Sequence, residues 1–142
     1  MAFWKKIKMK VNGLWYPKSV LVGSPVTTKQ IAERLSKEST VSLADTYAVL
    51  LALGGVMGEY MAEGRSVKLE GIGSFYFTAT ANKNGVDKEE KVSANQINGV
   101  RVRFIPETRY VRGAASRVAT RGLTDAVIEW LEWKGEEKKK KE

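Results

Sequence analysis

The chain has 142 residues, 43% apolar content and a formal net charge of +8, proportions that suit one domain with a modest core completed by a partner subunit. Cys and His are both absent, which excludes disulfides and thiolate chemistry and removes the commonest general base and metal ligand. No apolar run is long enough to cross a bilayer, and the opening MAFWKKIKMK lacks a continuous signal-peptide core, so the chain reads as cytoplasmic with no membrane partner.

Ile7 to Val11 and Leu14 to Val22 read as two short strands around Asn12-Gly13, a dipeptide suited to the positive φ angles of a tight hairpin. Pro17 cannot donate a ladder hydrogen bond, which puts the second strand at an edge or at a bulge. Gly23-Ser24-Pro25 then punctuates the chain. Thr27 and Gln30 have the spacing of a capping box, so a helix starts near Thr28, with Ile31 and Leu35 on one face. Ser42, with Asp45 three residues on, caps a second helix that runs through Glu63 and ends at Gly64. Its apolar surface, from Tyr47 to Met61, is wider than one small layer needs, which points to a dimer. Gly54, Gly55 and Gly58 each cost about 1 kcal/mol relative to Ala, and close approach of another backbone explains them, either in a dimer or within the subunit.

Val67 and Leu69 alternate with charged residues, Gly71-Ile72-Gly73 turns the chain, and Phe75 and Phe77 point inward while Tyr76 and Thr78 point out. Residues 82–98 form a polar excursion in which Lys83, Lys88 and Lys91 are balanced by Asp87, Glu89 and Glu90. Val100, Val102 and Phe104 then alternate with Arg101 and Arg103, so a third strand carries two arginines opposite its apolar face. Pro106 closes that strand and suits the first turn of a helix that begins with Glu107 and carries Arg109, Arg112, Arg117 and Arg121. Ala126 to Trp133 reads as a last amphipathic helix. The tail, 136–142, is a charge run without packing residues.

Charge is concentrated in two blocks: five Lys and no acid in residues 1–22, and six Arg against one Glu in residues 99–122. Such blocks favour a polyanionic partner, because neutralising phosphates releases counterions. The acids Asp45, Glu59, Glu63 and Glu70 show no pairing suggestive of acid and base work, and there is no phosphate loop or metal cluster. No enzyme activity, cofactor or small-molecule substrate is expected.

The order helix, long helix, two strands, excursion, returning strand, Pro and helix resembles the bacterial histone-like HU and integration-host-factor family. The likeness is sharpest in GRSVKLEGIGSF, similar to that family's G-x-x-V-x-L-x-G-[FI]-G-[ST]-F signature at Gly64, Val67, Leu69, Gly71, Ile72, Gly73, Ser74 and Phe75. It spans about residues 26–119, and the whole chain is most similar to a variant HU-like subgroup with an N-terminal β extension. The resemblance implies an α+β fold: two N-terminal helices, a three-stranded antiparallel sheet with a β-arm and a C-terminal helix, here with an N-terminal β-hairpin and an extra C-terminal helix. The corresponding boundaries are 1–23 for the hairpin, 24–122 for the HU-like domain, 123–135 for the last helix and 136–142 for a disordered tail.

The resemblance also implies a nucleoid-associated homodimer on double-stranded DNA, with RNA as an open alternative. Leu50, Leu53, Gly54, Met57, Phe75 and Phe77 are the expected dimer interface. Lys68, Arg65, Arg101, Arg103, Lys83, Lys88, Lys91, Arg112 and Arg117 are the expected DNA contacts, made to the phosphate backbone with little sequence preference. In the family, a proline at the tip of each arm wedges between base steps, a mode known for HU and not inferred from this chain. Residues 82–98 contain no Pro and no Arg, so a proline wedge is not expected here. The competing reading is an HU-derived structural or protein-interaction module that has lost the arm.

Overall fold

A computed structural model describes residues 1–108, 123 and 128–135 of the chain. The chain divides into two compact units, residues 1–26 with 126–142, and residues 27–125.

In the first unit, β1 (Ala2–Lys8) and β2 (Trp15–Val20) pair antiparallel, from Phe3 opposite Val20 to Lys8 opposite Trp15. The first strand therefore starts five residues and ends three residues earlier than the expected Ile7 to Val11, and the turn is longer than a two-residue hairpin. Asn12 accounts for the difference: its Oδ1 accepts the Leu14 N–H at 3.0 Å, while Met9 N–H bonds Leu14 O at 2.9 Å, so residues 10–13 are spent in the turn. β2 is an edge strand, as Pro17 requires. The strand on the other side of β1 is the larger correction. β6 (Trp130–Glu132), expected as part of a helix over 126–133, is a strand parallel to β1 with Trp130 opposite Ala2. Ala2 N–H to Glu129 O at 2.8 Å and Trp133 N–H to Trp4 O at 2.7 Å extend the ladder, and Phe3 and Trp133 meet edge to face at 5.4 Å. Residues 126 and 127 lie outside the described residues, as does the tail 136–142.

The second unit opens with α1 (Thr28–Glu38), whose N-terminus carries the capping box: Thr27 Oγ1 accepts the Gln30 N–H at 3.3 Å, and Gln30 Oε1 accepts the Thr27 N–H at 2.8 Å. Ser42 caps α2 (Leu43–Ala62) by accepting the Asp45 N–H at 3.1 Å. Gly64 ends the helix at φ +83°, a conformation that glycine adopts without a Cβ penalty.

The chain then enters a sheet of order β3-β4-β5, comprising β3 (Val67–Leu69), β4 (Gly73–Ala81) and β5 (Ile97–Pro106), antiparallel throughout. Gly73 sits where all three strands converge, opposite both Leu69 and Pro106. There the backbone of β5 passes so close that a Cβ on Gly73 would meet the carbonyl oxygen of Ile105. Pro106 is the last residue of β5; Glu107, expected to begin a helix, and Thr108 are not helical, because the Glu107 N–H is engaged by Ile72 O, and the rest of that expected helix, 109–122, lies outside the described residues.

The excursion is not a β-arm. Pairing of β4 and β5 stops at Ala81 and Ile97, with a bulge between Thr80 and Ala81, and Asn82 N–H to Gln96 O at 2.9 Å closes the neck. Beyond it the chain makes two 3₁₀ turns, Glu89–Lys91 and Ala94–Gln96, the second held by a Ser93–Gln96 capping box. Asp87 binds Lys91 at 2.7 Å across the loop. A segment rich in such local partners satisfies its backbone without a ribbon.

Little of this is buried. Among the described residues only Ala32, Thr46, Met61 and Gly73 are buried, and Leu51 on α2 is 61% exposed. No helix among them is long and apolar enough to cross a membrane.

Candidate nucleic-acid interface

Strand alternation separates β3-β4-β5 into two chemically different faces. On one, Phe75 lies opposite Phe104, Phe77 opposite Val102 and Ala79 opposite Val100. The Phe75 and Phe104 rings meet at 4.8 Å. On the other face, Lys68 lies opposite Ser74, Tyr76 opposite Arg103 and Thr78 opposite Arg101. Three of the residues expected to meet DNA, Lys68, Arg101 and Arg103, thus share one side of the sheet and are all exposed. None of them takes part in an ion pair among the described residues. Uncompensated cations on a flat strand surface can accept a row of phosphates without first breaking an internal bond.

The other expected contacts do not join this row. Arg65 is held at the end of α2, 3.8 Å from Glu63 Oε2 and with its guanidinium 5.4 Å from the centre of the Tyr60 ring. Lys91 is tied to Asp87, while Lys83 and Lys88 are exposed on the compact loop rather than strung along an arm. Arg112 and Arg117 lie outside the described residues.

Of the expected dimer residues, Leu50, Leu53, Met57, Phe75 and Phe77 are half-buried, and Gly54 is exposed. A Cβ on Gly54, Gly55 or Gly58 would meet no atom within 4 Å, so packing within the subunit does not explain these glycines. The apolar sheet face is more open than the sequence reading implied: Val100 and Val102 are 60% and 58% exposed.

A positioning residue that the sequence reading assigned only to a helix start is Glu107. Its Oε2 accepts the Gly71 N–H at 2.7 Å and its own N–H donates to Ile72 O at 3.1 Å, clamping the Gly71–Gly73 turn to the end of β5. The clamp fixes β5, and with it Arg101 and Arg103, against β4. Sequence spacing carries no sign of a bond across 36 residues.

Two capped helices followed by a glycine-punctuated three-stranded sheet with one basic face define an HU-like domain. A family model described as an HU domain fused to a winged helix-turn-helix, an immunoglobulin-like or a glycine-rich motif matches residues 7–121. The chain belongs to this family. No curated protein matches it.

Proposed function

We propose that the protein is a sequence-tolerant architectural DNA-binding protein of the nucleoid, acting in the cytoplasm as a homodimer. The observation that carries the reading is the row of Lys68, Arg103 and Arg101 on one sheet face, free of acidic partners among the described residues. Membership of the HU family, whose domains associate with DNA and are not enzymes, supports it. Contacts of this kind neutralise phosphates and carry no base information, so affinity is set by charge and backbone shape. Lys83 and Lys88 add secondary contacts, and Arg65, Arg112 and Arg117 are further candidates.

The exposed apolar surface of the single chain supports the dimer reading. The exposed faces of α2 and of β4-β5, together with open space over Gly54, suit a second copy whose α2 crosses at that point. Bending by a proline wedge is not part of the proposal, because residues 82–98 contain no proline.

The test is a titration of duplex DNA and of matched duplex RNA at two salt concentrations. Duplex DNA binding that weakens steeply with salt is expected, and absence of binding at about 50 mM salt overturns the reading. A second reading, an HU-derived interaction module, is favoured by the compact, charge-balanced loop in place of an arm. Recovery of the same protein partner after nuclease treatment, with no duplex affinity, supports that alternative.

A further inference from the structure

The sheet β2-β1-β6 displays indoles and lysines together on one exposed face. Its register puts Trp4 and Lys8 of β1, Trp15 and Pro17 of β2 and Trp130 of β6 on the same side. Trp4, Pro17, Ser19 and Trp130 line a cavity of about 380 Å³. Trp15 and Trp130 are 66% and 53% exposed, which is unusual for so large an apolar side chain on a soluble surface. Six residues of β1 separate the level of Trp130 from that of Trp15, a span of about 20 Å at ~3.4 Å per residue.

Charge selects the class of partner. Residues 1–22 hold five lysines and no acid. On this face Lys6 is neutralised by Glu132 at 3.0 Å, whereas Lys8 stands 5.9 Å from the centre of the Trp15 ring. Lys5 and Lys18 lie on the opposite face and take no part. A proline-rich peptide would fit the indole-lined cavity but leave Lys8 unused. Duplex DNA would use Lys8 but keep its bases stacked away from the indoles. A single strand uses both, since unpaired bases stack on aromatic rings while a phosphate meets the adjacent cation.

We infer that this face binds single-stranded nucleic acid, with Trp15 and Trp130 stacking unpaired bases and Lys8 neutralising an adjacent phosphate. The site is separate from the duplex surface and does not rest on it. The experiment measures anisotropy of a labelled 20-residue oligothymidylate and of a labelled 20-base-pair duplex, using the full chain, a W15A/W130A variant, a W15F/W130F variant and an R101E/R103E variant. Loss of the two indoles is expected to weaken single-strand binding by about tenfold or more while changing duplex affinity less than twofold. The phenylalanine variant restores most of the single-strand affinity, and the oligonucleotide quenches the tryptophan fluorescence of the unaltered chain.

Unchanged single-strand affinity in a folded W15A/W130A variant overturns the inference. So does binding without quenching, or single-strand binding lost only in R101E/R103E, which would assign it to the other sheet. If the unaltered chain binds phosphatidylglycerol vesicles or decaproline and not the oligonucleotide, the inference also fails. Single-strand binding through the indoles with no duplex binding would instead uphold this site and remove the duplex proposal.

Discussion

Replacing Gly73 by Ala tests whether the glycine signature holds the basic face together or merely turns the chain. The new Cβ would fall against the Ile105 carbonyl oxygen, 2.8 Å from Phe104 Cε2 and 2.9 Å from Pro106 Cα, and two of these three atoms belong to the backbone of β5. They cannot swing aside as a side chain can, so overpacking costs about 1–3 kcal/mol. The residue also sits at φ +150°, where an L side chain adds about 1–3 kcal/mol of strain. The reduced freedom of the unfolded chain returns about 0.4–1 kcal/mol. A net loss of about 3 kcal/mol follows, and at about 4–8 °C per kcal/mol the Tm falls by roughly 12–24 °C. Gly71 is the internal control, because it lies at φ +78° but a Cβ there meets nothing within 4 Å. Its replacement by Ala costs only the left-handed penalty, about 1–2 kcal/mol. Circular-dichroism melts of both variants at one protein concentration decide the matter. Equal losses, or a larger loss at Gly71, would refute the close-approach argument.

Three further outcomes are expected. Glu107→Ala removes the acceptor of the Gly71 N–H and lowers stability by about 1–2 kcal/mol in urea denaturation, whereas a loss near zero would show that the clamp is dispensable. Gly54→Leu meets no neighbour within the chain and is the better helix former by about 0.8–1 kcal/mol, so helical signal is kept while the dimer dissociation constant rises about tenfold or more in sedimentation equilibrium. An unchanged constant takes Gly54 out of the interface. Lys68→Gln lowers the salt slope of duplex binding by about 2 in a dimer, while Lys91→Gln, already engaged by Asp87, leaves it unaltered; the reverse order would move the binding surface to the loop.

The parts of the fold legible in the sequence are those written in local chemistry. Thr27 with Gln30 and Ser42 with Asp45 mark helix starts because such a cap is contained in four consecutive residues, and Gly64 marks an end because few other residues adopt its φ. Alternation separated Phe75 and Phe77 from Tyr76 and Thr78, and Val102 from Arg101 and Arg103, which is why the basic row could be named in advance. Non-local pairing was not legible. Val127, Ile128, Trp130 and Leu131 have helical spacing, yet Trp130–Glu132 takes the open edge of β1, more than 120 residues away in the chain. The true start of β1 at Ala2 depends on that same partner. The loop beyond Ala81 hid its structure for another reason: 3₁₀ turns of three residues are too short to leave a period, and only the Ser93–Gln96 pair signals one of them.

The most direct test of the central claim is the salt dependence of duplex binding by the unaltered protein and by R101Q/R103Q. In a dimer these arginines contribute four phosphate contacts, so the double substitution lowers the slope of log affinity against log salt by about 3–4 and leaves the fold intact. The account predicts that reduction; an identical slope in the two proteins, or no duplex binding by either at about 50 mM salt, would contradict it.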